Sequence, residues 1–311
     1  MKKILIFCLI ISLVYSCNSN DDSSNSSSTD VFLKEVNSEW SSDSNSDLHI
    51  EKYYYYQDGR PEFYEYFRPN TDIQPWAEHF FTHDSENLIQ SVFLSITGES
   101  GIINFDYENG DLKYIEWGIP QPNQRYEIIL EDSSIIMKYM TGFGGNWNSP
   151  SRIETYNFNN ENYNLLINSN ISGSISNDNP PTFITSYEYD ENSNLISVIQ
   201  QSYDGNTQTY NDYITTNFDY DIKENPYKQE YLSHPVIRHN LISLPSSILQ
   251  NDKISSNNIT SKTINNYLYD TTLTMDFVYE YNDLNYPVSS IETTTFANGE
   301  TSITTKTYTY Y

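Results

Sequence analysis

Along most of the chain, aromatic residues recur in pairs two positions apart, followed by a polar turn and then an apolar run. The unit appears as Tyr54-Tyr55-Tyr56-Gln57-Asp58-Gly59, then as Phe105-Asp106-Tyr107-Glu108-Asn109-Gly110 and Tyr156-Asn157-Phe158-Asn159. It returns as Tyr187-Glu188-Tyr189-Asp190, Phe218-Asp219-Tyr220-Asp221 and Tyr279-Glu280-Tyr281-Asn282. Residues two apart on a strand share a face, so each pair predicts one side of a β-strand. Asp or Asn then opens a turn by bonding its own backbone. Asp58-Gly59, Asn109-Gly110, Asp204-Gly205 and Asn298-Gly299 supply the positive φ that tight hairpins need. The runs that follow, including Leu112–Trp117, Leu195–Tyr203 and Val288–Phe296, read as return strands. Pro226 and Pro287 are placed where strands begin, since a first residue tolerates a missing N–H.

The alternation within strands is incomplete. Phe183, Thr185, Tyr187 and Tyr189 share one face and Ile184, Ser186 and Glu188 the other, whereas Leu195–Tyr203 carries apolar groups on both. Such strands suit a curled sheet better than a sheet with one fully wet face. The predicted fold is all-β: a large antiparallel meander of hairpins, strongly curved or barrel-like, of roughly 14 to 18 strands, with one irregular insertion. That insertion spans Tyr231 to Lys262, where two prolines interrupt the rhythm, and a short helical turn is expected near Ser246–Leu249. Its Leu and Ile residues could cap one end of the sheet.

Composition supports the same class. The chain has 29 Tyr, 14 Phe and 4 Trp, residues that suit a pleated, half-buried surface. The units around Tyr187–Leu195 and Phe218–Tyr227 resemble YD (RHS-like) repeats, especially those of Bacteroidota surface lipoproteins carrying a domain of unknown function. The resemblance spans about Val31 to Tyr311 and is clearest from Thr182 onward. It implies an antiparallel sheet curled like a porin wall, and no known activity or active-site residues.

The first seventeen residues read MKKILIFCLIISLVYSC. Lys2 and Lys3 precede 11 apolar residues, Ile4 to Val14. That run is too short for a membrane span, which needs about 20 residues, and fits a removable signal. Leu13-Val14-Tyr15-Ser16-Cys17 resembles a bacterial lipobox. By that resemblance residues 1–16 are a lipoprotein signal peptide and Cys17 is lipidated after cleavage. Two acyl chains suffice for stable anchoring. Residues 17–30 contain no apolar side chain beyond Cys17 and read as a flexible tether. Asp21 and Asp22 in it resemble the surface-export signal of Bacteroidota lipoproteins. Residues 31–311 form the all-β domain. The expected location is the outer membrane, lipid-anchored and surface-exposed.

Charge narrows the partners. The chain carries 16 basic and 42 acidic residues, net −26; removing the signal takes away two lysines and leaves about −28. Nucleic acid is not expected as a partner, because phosphate contacts need clustered Lys and Arg. The only cysteines are Cys8, lost with the signal, and Cys17, so burial rather than a disulfide must hold the domain.

Candidate chemistry is sparse. His79 and His83 would share a face only on a helix, and their surroundings read as strand or loop. Asp190, Asn192 and Asn194 begin like a calcium loop but lack its glycine and closing acid, and a turn explains them. Gly142-Phe143-Gly144-Gly145 precedes no helix that could make a phosphate cradle. No catalytic residue, metal site or cofactor is expected. The aromatics Tyr53, Tyr56, Tyr64, Tyr66, Trp117 and Trp147 are candidates for ligand contact, to a glycan or another surface protein. Asp270-Thr271-Thr272 resembles the Bacteroidota O-glycosylation acceptor, with Thr271 as its site. These features lead to a cell-surface lipoprotein that acts as a non-enzymatic binding or scaffolding module. The alternatives are a surface polysaccharide hydrolase using paired carboxylates and an outer-membrane-associated barrel.

Overall fold

The computed structural model describes residues 33–42, 45–57, 61–67, 77–83, 89–96, 99–118, 123–143, 146–160, 165–172, 180–226 and 255–311. The signal, Cys17, the tether, His234, His239 and most of the expected insertion lie outside them.

Nineteen strands are present among the described residues. In chain order the first nine are β1 Leu33–Ser42, β2 Asn45–Tyr55, β3 Pro61–Phe67, β4 Ala77–His83, β5 Ile89–Ile96, β6 Glu99–Glu108, β7 Asp111–Gly118, β8 Gln124–Glu131 and β9 Ser134–Phe143. Then come the two-residue β10 Asn146–Trp147, β11 Arg152–Phe158, β12 Leu166–Ser172, β13 Phe183–Tyr189, β14 Leu195–Asp204 and β15 Thr209–Glu224. The last four are β16 Asn257–Asn266, β17 Thr271–Tyr281, β18 Pro287–Thr295 and β19 Thr301–Tyr310.

Each strand pairs antiparallel with its sequence neighbour, except that β9 pairs directly with β11 and carries β10 as a short extra strand. The last strand returns to the first: β19 pairs along β1 from Leu33↔Tyr310 to Ser42↔Ser302. The result is an 18-stranded closed barrel with one extra strand, the all-β, barrel-like meander expected. Closure removes the exposed edges that an open sheet of this size would present.

The barrel's apolar core faces inward, interspersed with buried polar groups, and its outer face is mostly polar. Ile103, Phe105, Leu112, Ile115, Tyr126, Ile128, Ile135 and Met137 point inward and are nearly or completely buried. They join Tyr156, Phe158, Leu166, Tyr187, Leu195, Val198 and Phe218 in one core cluster. The alternate positions face out: Glu35, Asn37 and Glu39 on β1, Glu116 and Glu127 on β7 and β8, and Asp276 and Glu280 on β17. On β19 the outward row is Thr305, Thr307 and Thr309, all exposed. Exposed apolar residues interrupt this surface, among them Phe80, Ile167, Ile196 and Ile303, and Val278 and Ile291 stand opposite each other across β17 and β18.

The recurring aromatic pairs acquire a common place. Tyr107, Phe158, Tyr189 and Tyr281 lie at or next to the ends of strands that run toward the rim holding Leu33 and Tyr310, and Tyr220 lies four residues before the end of β15, which runs the same way. Each is preceded two residues earlier by an inward partner: Phe105, Tyr156, Tyr187, Phe218 or Tyr279. The first unit departs from this phase. Tyr54 faces outward beside Glu35 and Glu65, while Tyr55 is the buried residue, 1% exposed.

The turns differ in kind. Asn109 and Gly110 both have positive φ, 55° and 84°, and make the two-residue hairpin that such a pair favours. At Asn298-Gly299 only Gly299 has positive φ, and Phe296 N–H donates to the Glu300 carbonyl across a wider turn. Asp204-Gly205 opens a four-residue turn in which Gln208, not Gly205, has positive φ. There the Asp204 carboxylate accepts from Asn206 N–H at 2.9 Å and Thr207 Oγ1 at 3.0 Å, so the side chain organises the longer loop. Asp58-Gly59 lies outside the described residues.

Two boundaries differ from expectation. Pro287 starts β18, but Pro226 follows the end of β15, which runs unbroken for 16 residues. The sequence predicts an irregular excursion as far as Lys262, yet β16 already begins at Asn257. The polar run Ser255-Ser256-Asn257-Asn258 conceals this strand start, because those side chains are spent on a hydrogen-bond clasp. Asn258 Nδ2 donates to the Glu224 carbonyl at 3.1 Å, and Asn257 Nδ2 donates to the Lys223 carbonyl at 3.0 Å. Asn225 Nδ2 donates to the Ser255 carbonyl at 2.9 Å. Asp221 accepts from the N–H groups of Lys223 and Asn258 and from the Tyr281 hydroxyl. The chain leaving β15 and the chain entering β16 are thereby fastened together.

Candidate functional site

A barrel of 16–18 strands is wide enough to hold water, and here the two sides of the lumen differ. On the β6–β9 side the inward residues Leu112, Ile115, Ile135 and Met137 are completely buried. On the β17–β19 side the inward positions are Phe277, Tyr279, Tyr281, Ser290, Glu292, Thr294, Lys306 and Tyr308. Lys306 Nζ lies 3.9 Å from Glu292 Oε2, with 30% and 18% of those side chains exposed. Water therefore reaches Glu292 and Lys306 although they face the interior, whereas Ser290, Thr294 and Tyr308 on the same wall are buried.

The sequence places the three rings of β17 by simple alternation. Phe277, Tyr279 and Tyr281 are i, i+2 and i+4 on one strand face. Phe277 and Tyr279 have ring centroids 6.5 Å apart and planes within 11°. Tyr279 and Tyr281 are 5.8 Å apart at 34°. All three are half-buried. Tyr281 is fixed at the rim by donating to Asp221 and accepting from Asn258 Nδ2. Burial, and then the bonded Asp221 carboxylate, push its hydroxyl well above the ordinary tyrosine range. Polar groups flank the rings: Ser290 Oγ lies 3.1 Å from the Tyr308 hydroxyl, and Thr294 Oγ1 donates to Glu292 Oε1 at 3.2 Å.

A second polar cluster sits on the dry side. Arg152 and Glu154 point inward from β11, with Arg152 Nε 2.6 Å from Glu154 Oε1. Tyr126 and Tyr156 donate to Glu154 at 3.2 and 2.5 Å, and the Arg152 guanidinium donates to the Tyr126 hydroxyl. Burial raises the Glu154 carboxyl; Arg152 and the two hydroxyls oppose that shift without cancelling it. Burial and the adjacent Glu154 carboxylate push Tyr126 and Tyr156 well above their usual range. Burial disfavours the Arg152 charge, but Glu154 and Tyr126 outweigh it and hold the guanidinium more firmly protonated. The groups bonded to Glu154 are an arginine and two tyrosines. A glycoside hydrolase needs a second carboxylate on the far side of the scissile bond, and this cluster does not supply one.

The aromatics singled out in the sequence do not gather at one place. Trp117 points inward and packs on Tyr126 at 5.2 Å and Tyr139 at 5.9 Å. Trp147, on β10, lies on the outer surface, where the Arg125 guanidinium sits 4.9 Å from its ring and 4.0 Å from that of Tyr114. Tyr66 is 9% exposed, and Tyr56 meets His83 edge-on at 5.9 Å. Tyr53 and Tyr64 are register partners on β2 and β3, with side chains outside the described set. His79 and His83 lie on strand β4, and no group of metal-ligating side chains occurs among the described residues. Asp190 is a turn residue, accepting from the N–H groups of Asn192 and Asn194. Desolvation works against its charge, but the Asn194 side chain and these N–H groups prevail and lower its pKa. Thr271 is exposed at the start of β17.

The β17 ladder went unnoticed in the sequence because Phe277-Val278-Tyr279-Glu280-Tyr281 looks like the other aromatic units. Its distinguishing signal was available in the inward set of the next two strands, Ser290, Glu292 and Lys306. Those positions become inward only once the register is known.

What these features define is a closed antiparallel barrel with a largely polar exterior and an apolar core drawn from strands around the whole barrel, with a partly exposed ion pair, Glu292–Lys306, among the aromatics of the β17–β19 wall. The chain matches no family model and no curated protein. Among solved structures it is similar to a porin-like protein from Bacteroides uniformis, at 14% identity and TM-score 0.46, covering 90% of this chain and 98% of that one. A porin-like protein from Bacteroides vulgatus follows at 8% identity and TM-score 0.39, covering 91% and 99%. The TcdB2-TccC3-Cdc42 structure is similar over 82% of this chain and 15% of that one, at 14% identity and TM-score 0.25. Likeness at this level transfers no activity.

Proposed function

We propose that this protein is a lipid-anchored, water-exposed barrel of the outer-membrane surface that binds a partner rather than transforming one. The observation that carries the reading is the direction of the side chains. A barrel embedded in lipid must present an apolar outward band, whereas the outward rows here carry Glu35, Glu39, Glu116, Glu127, Asp276, Glu280 and a threonine series. Burying even one ionised carboxylate in hydrocarbon without a partner costs several kcal/mol. The attachment is then left to Cys17 and its acyl chains. Leu33 starts β1 at the terminal rim, which is the rim the tether from Cys17 would join.

The test is Cys17→Ala in the full chain, followed by fractionation without detergent. The expected result is a soluble protein with an unchanged melting temperature. Retention of Cys17→Ala in the outer membrane, released only by detergent, would overturn the reading in favour of an integral barrel.

A further inference from the structure

We infer that the lumen wall formed by β17, β18 and β19 is a binding track for a neutral saccharide chain; this deepens the binding role proposed above and rests on it. Phe277, Tyr279 and Tyr281 follow one another at 6.5 and 5.8 Å along one strand. Phe277 and Tyr279 are near-parallel and Tyr281 is tilted 34° from Tyr279, and the C–H face of a pyranose stacks on an aromatic face. Small-molecule sites combine an aromatic lining with a few placed polar groups. Ser290 and Glu292 stand directly opposite Tyr279 and Phe277 across the β17–β18 register, and Lys306 opposes Ser290 on β19. Glu292 and Lys306, both partly exposed, can accept from and donate to sugar hydroxyls at the ring edges, while Ser290 is buried against the Tyr308 hydroxyl.

Three features argue for a ligand rather than mere packing. The rings are half-buried, in file beside the buried Ser290, Thr294 and Tyr308. The Glu292–Lys306 pair keeps part of its surface open to water. Tyr281 is held by Asp221 and Asn258, so the rim end of the file is pre-organised. Charge selects the class. Glu292 and Lys306 offset each other, the inward Lys262 of β16 is 3% exposed and sits over the Phe218 ring, and a chain of net charge −26 repels uronates and sulfated sugars.

The test is calorimetric titration of the purified full-length protein with hexasaccharides of β-glucan, α-glucan, mannan, xylan and chitin, with oligoguluronate as the anionic comparison. Binding by at least one neutral chain is expected, weakened about tenfold by Tyr279→Ala. The outward neighbour substitution Val278→Ala should leave it unchanged. If Tyr279→Ala melts early, Glu292→Gln carries the test and should weaken binding several-fold. Three results would overturn the inference: no neutral chain binding at about 10 mM, Tyr279→Ala and Glu292→Gln both binding as the parent does, or preference for the anionic chain. Because the protein is studied in detergent, failure here is distinct from failure of the membrane-attachment reading, which Cys17→Ala decides.

Discussion

Raising the pH above 10 should unfold this barrel unusually steeply, because its tyrosines are buried with hydroxyls that resist ionisation. Tyr126 and Tyr156 are 1% and 6% exposed, and the Tyr189 hydroxyl is enclosed. Burial pushes all three above the ordinary range, helped by Glu154 for the first two and by Tyr187 for Tyr189. In the unfolded chain each ionises near pH 10, so above that pH the folded state holds protons that the unfolded state has released. Stability therefore falls with rising pH, by about 1.4 kcal/mol per pH unit for each group. Three such groups give about 4 kcal/mol per unit, so by pH 12 the loss is about 8 kcal/mol, comparable with the whole stability of a typical domain. The assay is urea unfolding from pH 8 to 12 by circular dichroism, with tyrosinate absorbance at about 295 nm recorded on the same samples. The expected result is a midpoint that is flat to pH 10 and then collapses, with a late step in absorbance coinciding with unfolding. If all tyrosinate absorbance instead develops near pH 10 while the dichroism stays native, the inward placement of these residues is wrong.

Other substitutions probe separate parts of the account. Arg152→Ala leaves Glu154, 3% exposed, without its cation, and should cost about 3–5 kcal/mol at neutral pH. Its Glu154 carboxyl would be raised further, so acidification toward pH 5 should recover part of the loss, whereas Arg152→Met with Glu154→Gln should restore most of it at every pH. Gly142→Ala would bring a Cβ to 2.2 Å from the Asn146 carbonyl oxygen; the β9–β10 turn must open, costing about 1–3 kcal/mol and changing the near-ultraviolet dichroism of Trp147. Asn258→Ala removes donors to the Lys223 and Glu224 carbonyls and to Tyr281, and should lower stability by about 1–3 kcal/mol while increasing amide exchange in β15 and β16.

Much of this fold was legible where the chain's chemistry is local. Asn109-Gly110 makes the turn its φ preferences dictate, and Asp190 opens a loop as an Asx residue should. The alternation in Phe183–Tyr189 separated its two faces, and the structure turns the face of Thr185 and Tyr187 inward. Barrel closure was less legible. The β1–β19 seam joins residues more than 250 positions apart, as in the Ser302 bond to the Ser41 carbonyl. Its outward face is threonine, glutamate and asparagine, which carry no directional signal. The single-residue phase change at Tyr54-Tyr55-Tyr56 was hidden because three successive tyrosines fit either register. The candidate binding wall depends on three strands being in register, a tertiary fact that no one segment encodes. Cys17 was legible only as a motif, and it bears on attachment rather than on the barrel.

The central claim is that the barrel is built with its core inside and its polar face in water. The most direct measurement compares Ile128→Arg with Ile291→Arg in residues 31–311, purified without detergent. Ile128 is 2% exposed on the inward face, and Ile291 is 47% exposed on the outward face. The account predicts that Ile291→Arg changes unfolding stability by no more than about 0.5 kcal/mol, whereas Ile128→Arg costs more than about 4 kcal/mol or prevents folding. Tolerance of arginine at Ile128 together with loss of folding or solubility at Ile291 would contradict it.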